Sequence, residues 1–398
     1  MKKISFFTLF LLISFASVNA VLFTPALPEI AKYFGITDAA SQQTITFFLI
    51  GYAAGQLLYG PIANRYGRKP ALYAGIILQI ISSLLCVFAG MINEYSLLVT
   101  GRFLLALGSG VGLKMTFTLV NETEEPKNAS RIISWLMLAF AISPGLGVMI
   151  GGILSENFDW TSTFYAGAIY GLILLVLVKK LPETKTELNY DALKLNHLLG
   201  SYSKQFKNFQ LIVGGLLMGS ATSFVYIFAA LAPFIAMEIL NMNAASYGIA
   251  NLLPSVGLVI GSLISAKLIH HFHHTSIIRI GMIIALLGSL MMLLFSLTQL
   301  SALIVIFIPM MICYLGLAMI FPNASNMAMS ATDDKAHGSA VMNFINMGLV
   351  TILVLGLQYV QIRTLLLPVT FLAICLLMII FFGLAKRNQR GGNNFPIK

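Results

Sequence analysis

Residues 51–70, GYAAGQLLYGPIANRYGRKP, decide the fold of this chain. The stretch leads from an uncharged apolar segment with closely spaced glycines into a compact basic turn, and a second apolar segment begins at once. Arg65, Arg68 and Lys69 supply the charge of that turn. Two apolar segments joined by a short charged turn predict a helical hairpin at a membrane face.

The composition extends this prediction to the whole chain. Of its 398 residues, 58% are hydrophobic and 10% are charged, whereas roughly a quarter of the residues in soluble domains are charged. A helix that crosses a membrane needs about 20 mostly apolar residues. Twelve such segments are present, at approximately 4–24, 42–63, 70–92, 97–120, 131–154, 160–178, 209–232, 246–268, 276–298, 302–324, 338–360 and 365–385. We therefore expect an all-α membrane protein with twelve transmembrane helices and almost no soluble domain.

The net charge of +10 is explained by where the basic residues lie. With both termini in the cytoplasm, all but four of the 24 lysines and arginines fall in cytoplasmic loops or at the adjoining helix ends. Lys32 and Arg363 lie in outer loops, and Arg102 and Lys114 lie within the fourth segment. This positive-inside bias predicts a multi-pass protein of a bacterial-type inner membrane with cytoplasmic termini. The basic residues therefore do not indicate a nucleic-acid partner.

The second half of the chain repeats the first. At an offset of 205 residues, Pro28, Ile30, Ala31, Ala39, Ala40 and Ser41 recur as Pro233, Ile235, Ala236, Ala244, Ala245 and Ser246; at an offset of 206, Gly51, Gly55 and Gly75 recur as Gly257, Gly261 and Gly281. Such repeats are typical of carriers with a site between two halves. We predict six-helix bundles at 1–180 and 208–398, joined by a cytoplasmic linker at 181–207. The leucines of this linker fit either a short amphipathic helix or a solvated connection.

Three motifs resemble those of a known family. They are Gly60, Pro61, Asn64, Arg65, Gly67, Arg68 and Lys69 after the second segment; Arg102, Gly108, Gly110 and Gly112 in the fourth; and Ser143, Pro144, Gly145, Gly147, Gly151 and Gly152 in the fifth. With the run 25–28, PALP, at the end of the first segment, they are similar to the major facilitator superfamily along nearly the whole chain. Within it, the chain resembles the Bcr/CflA type of the twelve-helix drug-efflux branch, with two six-helix bundles.

The resemblance implies that these motifs control conformation. The turn after helix two would lock the halves together in the outward-facing state, and helix five would seal the cavity, although Pro144 and its glycines also fit a simple packing kink. Asn64 and Val21 stand where the family pattern has aspartate, and Leu105 where it has glutamine. Asn64 supplies no charge, so we expect a less stable closed state. At Val21, the expected proton carrier and the counter-charge for a cationic drug are both missing.

Charged residues inside a membrane are costly and usually functional. In this chain they are Arg102 and Lys114, and no Asp or Glu lies near the middle of any segment. Lys114 lies about 18 Å along the helix from Arg102 and about 120° around it, so the two do not both point into one cavity. Lys114 either binds an anionic substrate or extends its flexible stem to the interface.

The other candidate substrate contacts are polar and aromatic residues. Together with Lys114 they are Asn19, Phe23, Tyr226, Tyr314, Asn343 and Asn346. Such groups suit a ligand of mixed polarity, but packing and interhelical hydrogen bonds explain them equally well. His270, His271, His273 and His274 have no carboxylate or cysteine beside them. We therefore predict a degenerate copy of the basic turn there rather than a metal site.

We expect a secondary active transporter, an exporter of drugs or small metabolites that exchanges them for protons by alternating access. It is expected to act as a monomer on small molecules in the bilayer, without cofactor, metal or nucleic acid. One alternative is a carrier for an organic anion or siderophore, in either direction, that uses Lys114. Another is a transporter-like sensor that binds a ligand without moving it. An enzyme is not expected, because the sequence has no nucleophile with its base and no phosphate loop.

Overall fold

The computed structural model describes residues 4–185, 187–190, 192–193, 195–298 and 300–391. In these ranges twelve helices are long and apolar enough to cross a membrane. They are α1 (Phe6–Phe34), α2 (Asp38–Tyr66), α3 (Arg68–Met91), α4 (Tyr95–Thr123), α5 (Arg131–Asn157), α6 (Thr161–Lys179), α7 (Phe209–Ile239), α8 (Ala244–Leu268), α9 (His274–Ser296), α10 (Leu303–Met329), α11 (His337–Leu357) and α12 (Leu366–Arg387). The same ranges contain no β-strand. The predicted all-α fold with twelve spans is confirmed.

A shorter helix, the linker helix (Leu195–Phe206), lies between α6 and α7. The helical alternative for this part of the linker is therefore correct. Tyr202 donates a hydrogen bond to the carbonyl oxygen of Leu57 in α2 at 2.8 Å. Its ring also packs edge-on against His337 of α11, with centroids 5.1 Å apart. The linker helix thus contacts both halves of the chain.

A single glycine separates α2 from α3. Gly67 has φ 104° and ψ 166°, a backbone conformation that residues with a Cβ rarely adopt. A Cβ at this position would also lie 2.7 Å from Oε2 of Glu183. The glycine therefore permits both the sharp turn and the close approach of the linker.

Helix α1 is interrupted near its proline-rich run. Its first α-helical part ends at Val21, Thr24–Ala26 forms a short 3₁₀ turn, and a second α-helical part covers Leu27–Phe34. Prolines lack the N–H that a continuous helix requires. The interruption leaves carbonyl oxygens at the end of the first part available to other side chains.

The two halves, α1–α6 and α7–α12, contact each other mainly through α2 with α11 and α5 with α8. Small residues permit the second contact. A Cβ on Gly152 of α5 would lie 3.1 Å from Cα of Gly248 in α8, and one on Gly248 would lie 3.1 Å from Cα of Met149. Close backbone approach at glycine is a common way to pack helices in lipid.

Polar contacts join the halves at one membrane side. We call the side where α1 begins and α12 ends the terminal face, and the other the opposite face. At the opposite face, Gln358 donates to Oγ1 of Thr46 at 3.0 Å, and the backbone N–H of Ala244 donates to Glu156 at 3.0 Å.

Among the described residues, one core cluster joins the two halves, and its first-half members lie toward the opposite face. This cluster includes Phe48 and Ala53 of the first half and Phe228 and Tyr247 of the second, and within the second half it extends further toward the terminal face. Toward the terminal face each half has its own cluster. The first half has one around Leu12, Val111 and Leu174, and the second has one around Leu211, Ala328 and Val341. The halves are therefore packed together at the opposite face and separately at the terminal face.

Candidate functional site

The basic turn after α2 is stabilised by a carboxylate from α4. Arg68 donates from Nη2 to Oε1 of Glu122 at 2.5 Å and from Nε to both oxygens of Glu122 at 3.2 Å. Its Nη1 donates to Oδ1 of Asn64 and to the carbonyl oxygen of Ala63, both at 2.9 Å. An arginine fork paired with a carboxylate is a strong, directional contact. The turn therefore has a carboxylate partner although Asn64 is neutral.

A second carboxylate caps the start of α3. Glu183, from the linker, accepts hydrogen bonds from the backbone N–H groups of Arg68 and Lys69, each at 2.9 Å. A helix N-terminus has unpaired N–H groups and a partial positive charge, so a carboxylate stabilises it. Arg65 in turn donates to the carbonyl oxygen of Tyr190 at 3.0 Å. These contacts tie the turn to the first half and the linker, and whether it locks the halves stays a prediction.

Arg102 is buried in α4 and binds backbone carbonyls. Its side chain is 1% exposed. Nη1 donates to the carbonyl oxygen of Asn19 at 2.9 Å, Nη2 to that of Ala20 at 3.2 Å, and Nε to that of Thr44 at 3.3 Å. Asn19 and Ala20 precede the end of the first part of α1 at Val21, which makes their oxygens available. Arg102 therefore fastens the interruption in α1 to α2.

Two aromatic rings flank the same guanidinium. Its central carbon lies 3.8 Å from the ring centroid of Phe23 and 4.5 Å from that of Phe48. Aromatic faces attract cations, more strongly when water is excluded. No ion pair of Arg102 with a carboxylate occurs among the described residues. Carbonyl dipoles and ring faces thus stabilise a buried charge that has no counter-ion in the described part of the chain.

A polar network continues from Asn19 into the first half. Nε2 of Gln79 in α3 lies 2.9 Å from Oδ1 of Asn19, 2.9 Å from Oγ of Ser83 and 3.1 Å from the carbonyl oxygen of Gly167. Oδ1 of Asn19 accepts from Gln79, and Nδ2 of Asn19 donates to the Phe15 carbonyl oxygen at 2.8 Å. A small cavity adjoins this network among α1, α3, α4 and α6. Asn19 and Phe23 are thus brought together with Arg102, inside the first half.

Lys114 lies apart from that cluster, on the side of α4 that packs against α2. Its Nζ is 3.5 Å from the carbonyl oxygen of Gln56, and a Cβ on Gly60 would be 2.5 Å from it. The residue is partly buried. Gly60 therefore leaves the space that the ammonium group occupies.

Tyr226 and Tyr314 belong to a group of polar and aromatic residues between the halves. Tyr226 is partly buried and packs against the core cluster that both halves share. Tyr314 lines a small cavity between α1, α5, α7, α8 and α10. Tyr247 of α8, which the sequence did not single out, lines the same cavity. Both predicted tyrosines lie between the halves, and their contact with a substrate stays a prediction.

The two asparagines of α11 lie elsewhere. Asn346 is 1% exposed, and a Cβ on Gly219 of α7 would lie 3.2 Å from its Cα. Its Oδ1 has no hydrogen-bond partner among the described residues. Asn343, one turn earlier, is partly exposed. Substrate contact by either residue stays a prediction.

The histidines of the turn between α8 and α9 are dispersed. His270, His271 and His273 are exposed, and Nδ1 of His274 lies 2.6 Å from Oδ1 of Asn323 in α10. Across the described ranges, no group of three metal-ligating side chains is close enough to bind a metal ion.

The glycine motifs of α4 and α5 mark close helix contacts. A Cβ on Gly108 would lie 2.6 Å from the carbonyl oxygen of Gly75 in α3, and one on Gly112 would lie 3.1 Å from Cβ of Phe15 in α1. In α5, Gly147 and Gly151 face α1, whereas Gly145 and Gly152 face α8. Helix α5 therefore packs against both halves through its two glycine-lined surfaces. Pro144 lines the cavity between the halves.

Several residues of the site were missed by sequence reasoning. They are Glu122, Glu183, Gln79, Phe48, Tyr52, Gln56 and Tyr247. Each of them either contacts a residue that is distant in the sequence or is of a type that is common in ordinary helix packing. Only Glu122 and Glu183 carried a visible signal, as acids close to the basic turn at the membrane face.

Twelve spans in two halves, a core shared at one face and buried cations between the helices define a two-half membrane carrier. The chain belongs to the Major Facilitator Superfamily, whose family model matches residues 9–355. It is a transporter of small molecules in a lipid bilayer, and members of this family are carriers, not enzymes.

Individual relatives agree with this assignment. The chain is 28% identical to an uncharacterized transporter of Rickettsia felis over 80% of either chain. It is 26% identical to the chloramphenicol resistance protein CraA of Acinetobacter baumannii, over 69% of this chain and 65% of that protein. The xylose transporter XylE from E. coli in an inward open conformation shares the fold with a TM-score of 0.74 at 15% identity, over 94% of this chain and 95% of XylE. The resemblance to the drug-efflux branch is confirmed.

Proposed function

We propose that this protein exports small organic molecules across the bacterial inner membrane, as a monomer, by alternating access. The observation that carries the proposal is the asymmetric core, which is shared by both halves at the opposite face and divided at the terminal face. The bundles 1–180 and 208–398 rock about the space between them, with 181–207 as the connecting linker. Tyr226, Tyr314 and Lys114 contact the substrate.

The terminal face is assigned to the cytoplasm. In the described ranges, all lysines and arginines except Lys32, Arg102, Lys114 and Arg363 lie at that face when the twelve spans are followed from α1. Positively charged loops remain in the cytoplasm during insertion. The divided core then opens the space between the halves toward the cytoplasm, which is where an exporter collects its substrate.

Export is proposed to be coupled to proton entry by antiport. The name of CraA, a chloramphenicol resistance protein, supports outward transport of chloramphenicol-like compounds. The packing of α5 through Gly151 and Gly152 supports a cavity sealed toward the opposite face. The turn 60–69 and Arg102 stabilise the separate conformations of this cycle.

Everted membrane vesicles provide the test, because their outside corresponds to the cytoplasm. Labelled chloramphenicol is expected to accumulate in vesicles with an acidic lumen, and its addition is expected to raise the luminal pH measured with a fluorescent dye. A protonophore should abolish both signals. Absence of accumulation would contradict export, and accumulation without a pH change would contradict antiport alone.

A matched pair of variants controls this assay. Gly152→Leu places a side chain against Ala244 and Gly248, so accumulation should fall to the level of empty vesicles. Gly383→Leu places the same side chain where no atom lies within 4 Å. This variant should transport like the unmodified protein.

A further inference from the structure

The ammonium group of Lys114 is a cation in the spanning part of the first half with almost no partner. Among the described residues, its one hydrogen-bond acceptor is the carbonyl oxygen of Gln56, at the long distance of 3.5 Å. Such a group in a low-dielectric environment is costly unless it is paired. An anion that binds from outside the chain would stabilise the charged form of Lys114.

Lys114 does not extend to the membrane surface. The pair Arg68 and Glu122 marks the terminal face, and Lys114 lies eight residues, about 12 Å, further into the membrane along α4. A lysine that reached for water would direct its Nζ toward the last turn of α2. Instead Nζ lies beside Gln56 and Gly60, ten and six residues before the end of α2 at Tyr66.

A second unpaired donor lies beside it. Nε2 of Gln56 is buried without a hydrogen-bond partner among the described residues, and Gln56 is 3% exposed. Tyr52 lies one turn before Gln56 in α2, within the core cluster that both halves share, and Tyr226 of α7 packs against the same cluster. The donors Lys114 Nζ and Gln56 Nε2 therefore lie on the same side of the first half as Tyr52, and Tyr226 continues the aromatic surface into the second half.

The described parts of the twelve helices carry no carboxylate in the middle of the membrane. In the described parts of α1–α12, every Asp and Glu lies within two turns of a helix end. A cationic substrate would therefore find two positive charges and no negative one in the middle of the membrane. An anionic substrate would supply the missing charge.

We propose that the substrates of this transporter include aromatic monocarboxylates, whose carboxylate binds Lys114 Nζ and the amide of Gln56. This rests on the transport function proposed above and specifies its substrate class. Charge-assisted hydrogen bonds to the two donors fix the carboxylate, and the ring of the substrate packs against Tyr52 and Tyr226. A membrane potential that is negative inside favours exit of such an anion.

The test compares two probes of equal size, labelled 1-naphthylacetate and 1-naphthylacetamide, in equilibrium binding to the purified protein. The unmodified protein should bind the carboxylate at least tenfold more tightly than the amide. Lys114→Gln should abolish this preference by weakening binding of the carboxylate to the level of the amide. Lys114→Arg should retain the preference, and Gln56→Leu should reduce it. Lys267→Gln, an exposed lysine near the end of α8, should have no effect.

Equal binding of the two probes, absence of carboxylate binding, or a preference that survives in Lys114→Gln would each overturn the proposal. The vesicle assay separates this result from failure of the transport function. If chloramphenicol accumulates in vesicles while the carboxylate does not bind, the substrate class is wrong and export stands. If neither occurs, both proposals fail.

Discussion

The positive charge of Arg68 is neutralised by a carboxylate outside the motif of residues 60–69. Its guanidinium binds both carboxylate oxygens of Glu122 and the amide oxygen of Asn64, and its side chain is 9% exposed. An aspartate at position 64 would place a second negative charge beside Arg68. With asparagine there, Glu122 is the side-chain carboxylate that neutralises this arginine.

Glu122→Gln is therefore expected to destabilise the terminal face of the first half. The amide cannot accept the bidentate charged pair, and a buried arginine loses its counter-ion. We expect a melting temperature in detergent about 2–5 °C lower than that of the unmodified protein. Glu125→Gln, at an exposed position three residues further on, is the matched control and should not change it. Equal melting temperatures for the two variants would refute the role of this pair.

Sequence reasoning reached some of these residues and not others, for a physical reason. Arg102 and Lys114 stand out because a charge within an apolar segment is costly wherever the helix packs. Gln79 and Phe48 do not stand out, because amides and aromatic rings are common in helix contacts. Their roles depend on which helices become neighbours, and local patterns do not specify that.

Among the helices and turns, the turn between α2 and α3 depends on both a glycine backbone conformation and a charged contact. Gly67 adopts a positive φ, and its lack of a Cβ lets Glu183 reach the first N–H groups of α3. The linker after α6 is thereby bound to the start of α3. The turn after α2, the start of α3 and the linker are therefore connected at the terminal face.

Gly67→Ala should disrupt this connection. The methyl group would strain the backbone by about 1–3 kcal/mol and would displace the Glu183 carboxylate from the helix end. We expect lower thermal stability, measured by the melting temperature in detergent. Gly200→Ala, in the linker helix with no atom within 4 Å, should be neutral or slightly stabilising. A Gly67→Ala variant as stable as Gly200→Ala would contradict the role of this turn.

Most of the element pattern follows from the sequence. Hydropathy and length place all twelve spans, because lipid requires a long apolar helix at each crossing. The interruption of α1 follows from the run at 25–28. The break of α4 at Gly110 and the linker helix depend on contacts with other helices, and composition alone left the linker open between two structures.

At the scale of the whole molecule, the internal repeat becomes two halves that meet unevenly. The repeat predicts two bundles with a site between them, and it does not specify which face is closed. The structure adds that information, with glycine contacts between α5 and α8 and the hydrogen bond from Gln358 to Thr46 at the opposite face. Closure at one face depends on contacts between residues roughly a hundred or more positions apart, and no local pattern determines it.

The halves are proposed to rock about the space between them. Distances between paired spin labels test this motion most directly, with one pair at Tyr66 and His271 on the terminal face and one at Ile92 and Thr298 on the opposite face. All four positions are exposed, and the native cysteines are buried. In Gly152→Leu, which separates α5 from α8, the terminal pair is predicted to become closer and the opposite pair more distant than in the unmodified protein. Two distances that stay unchanged in the folded variant, or that change in the same direction, would contradict a rocking motion of the halves.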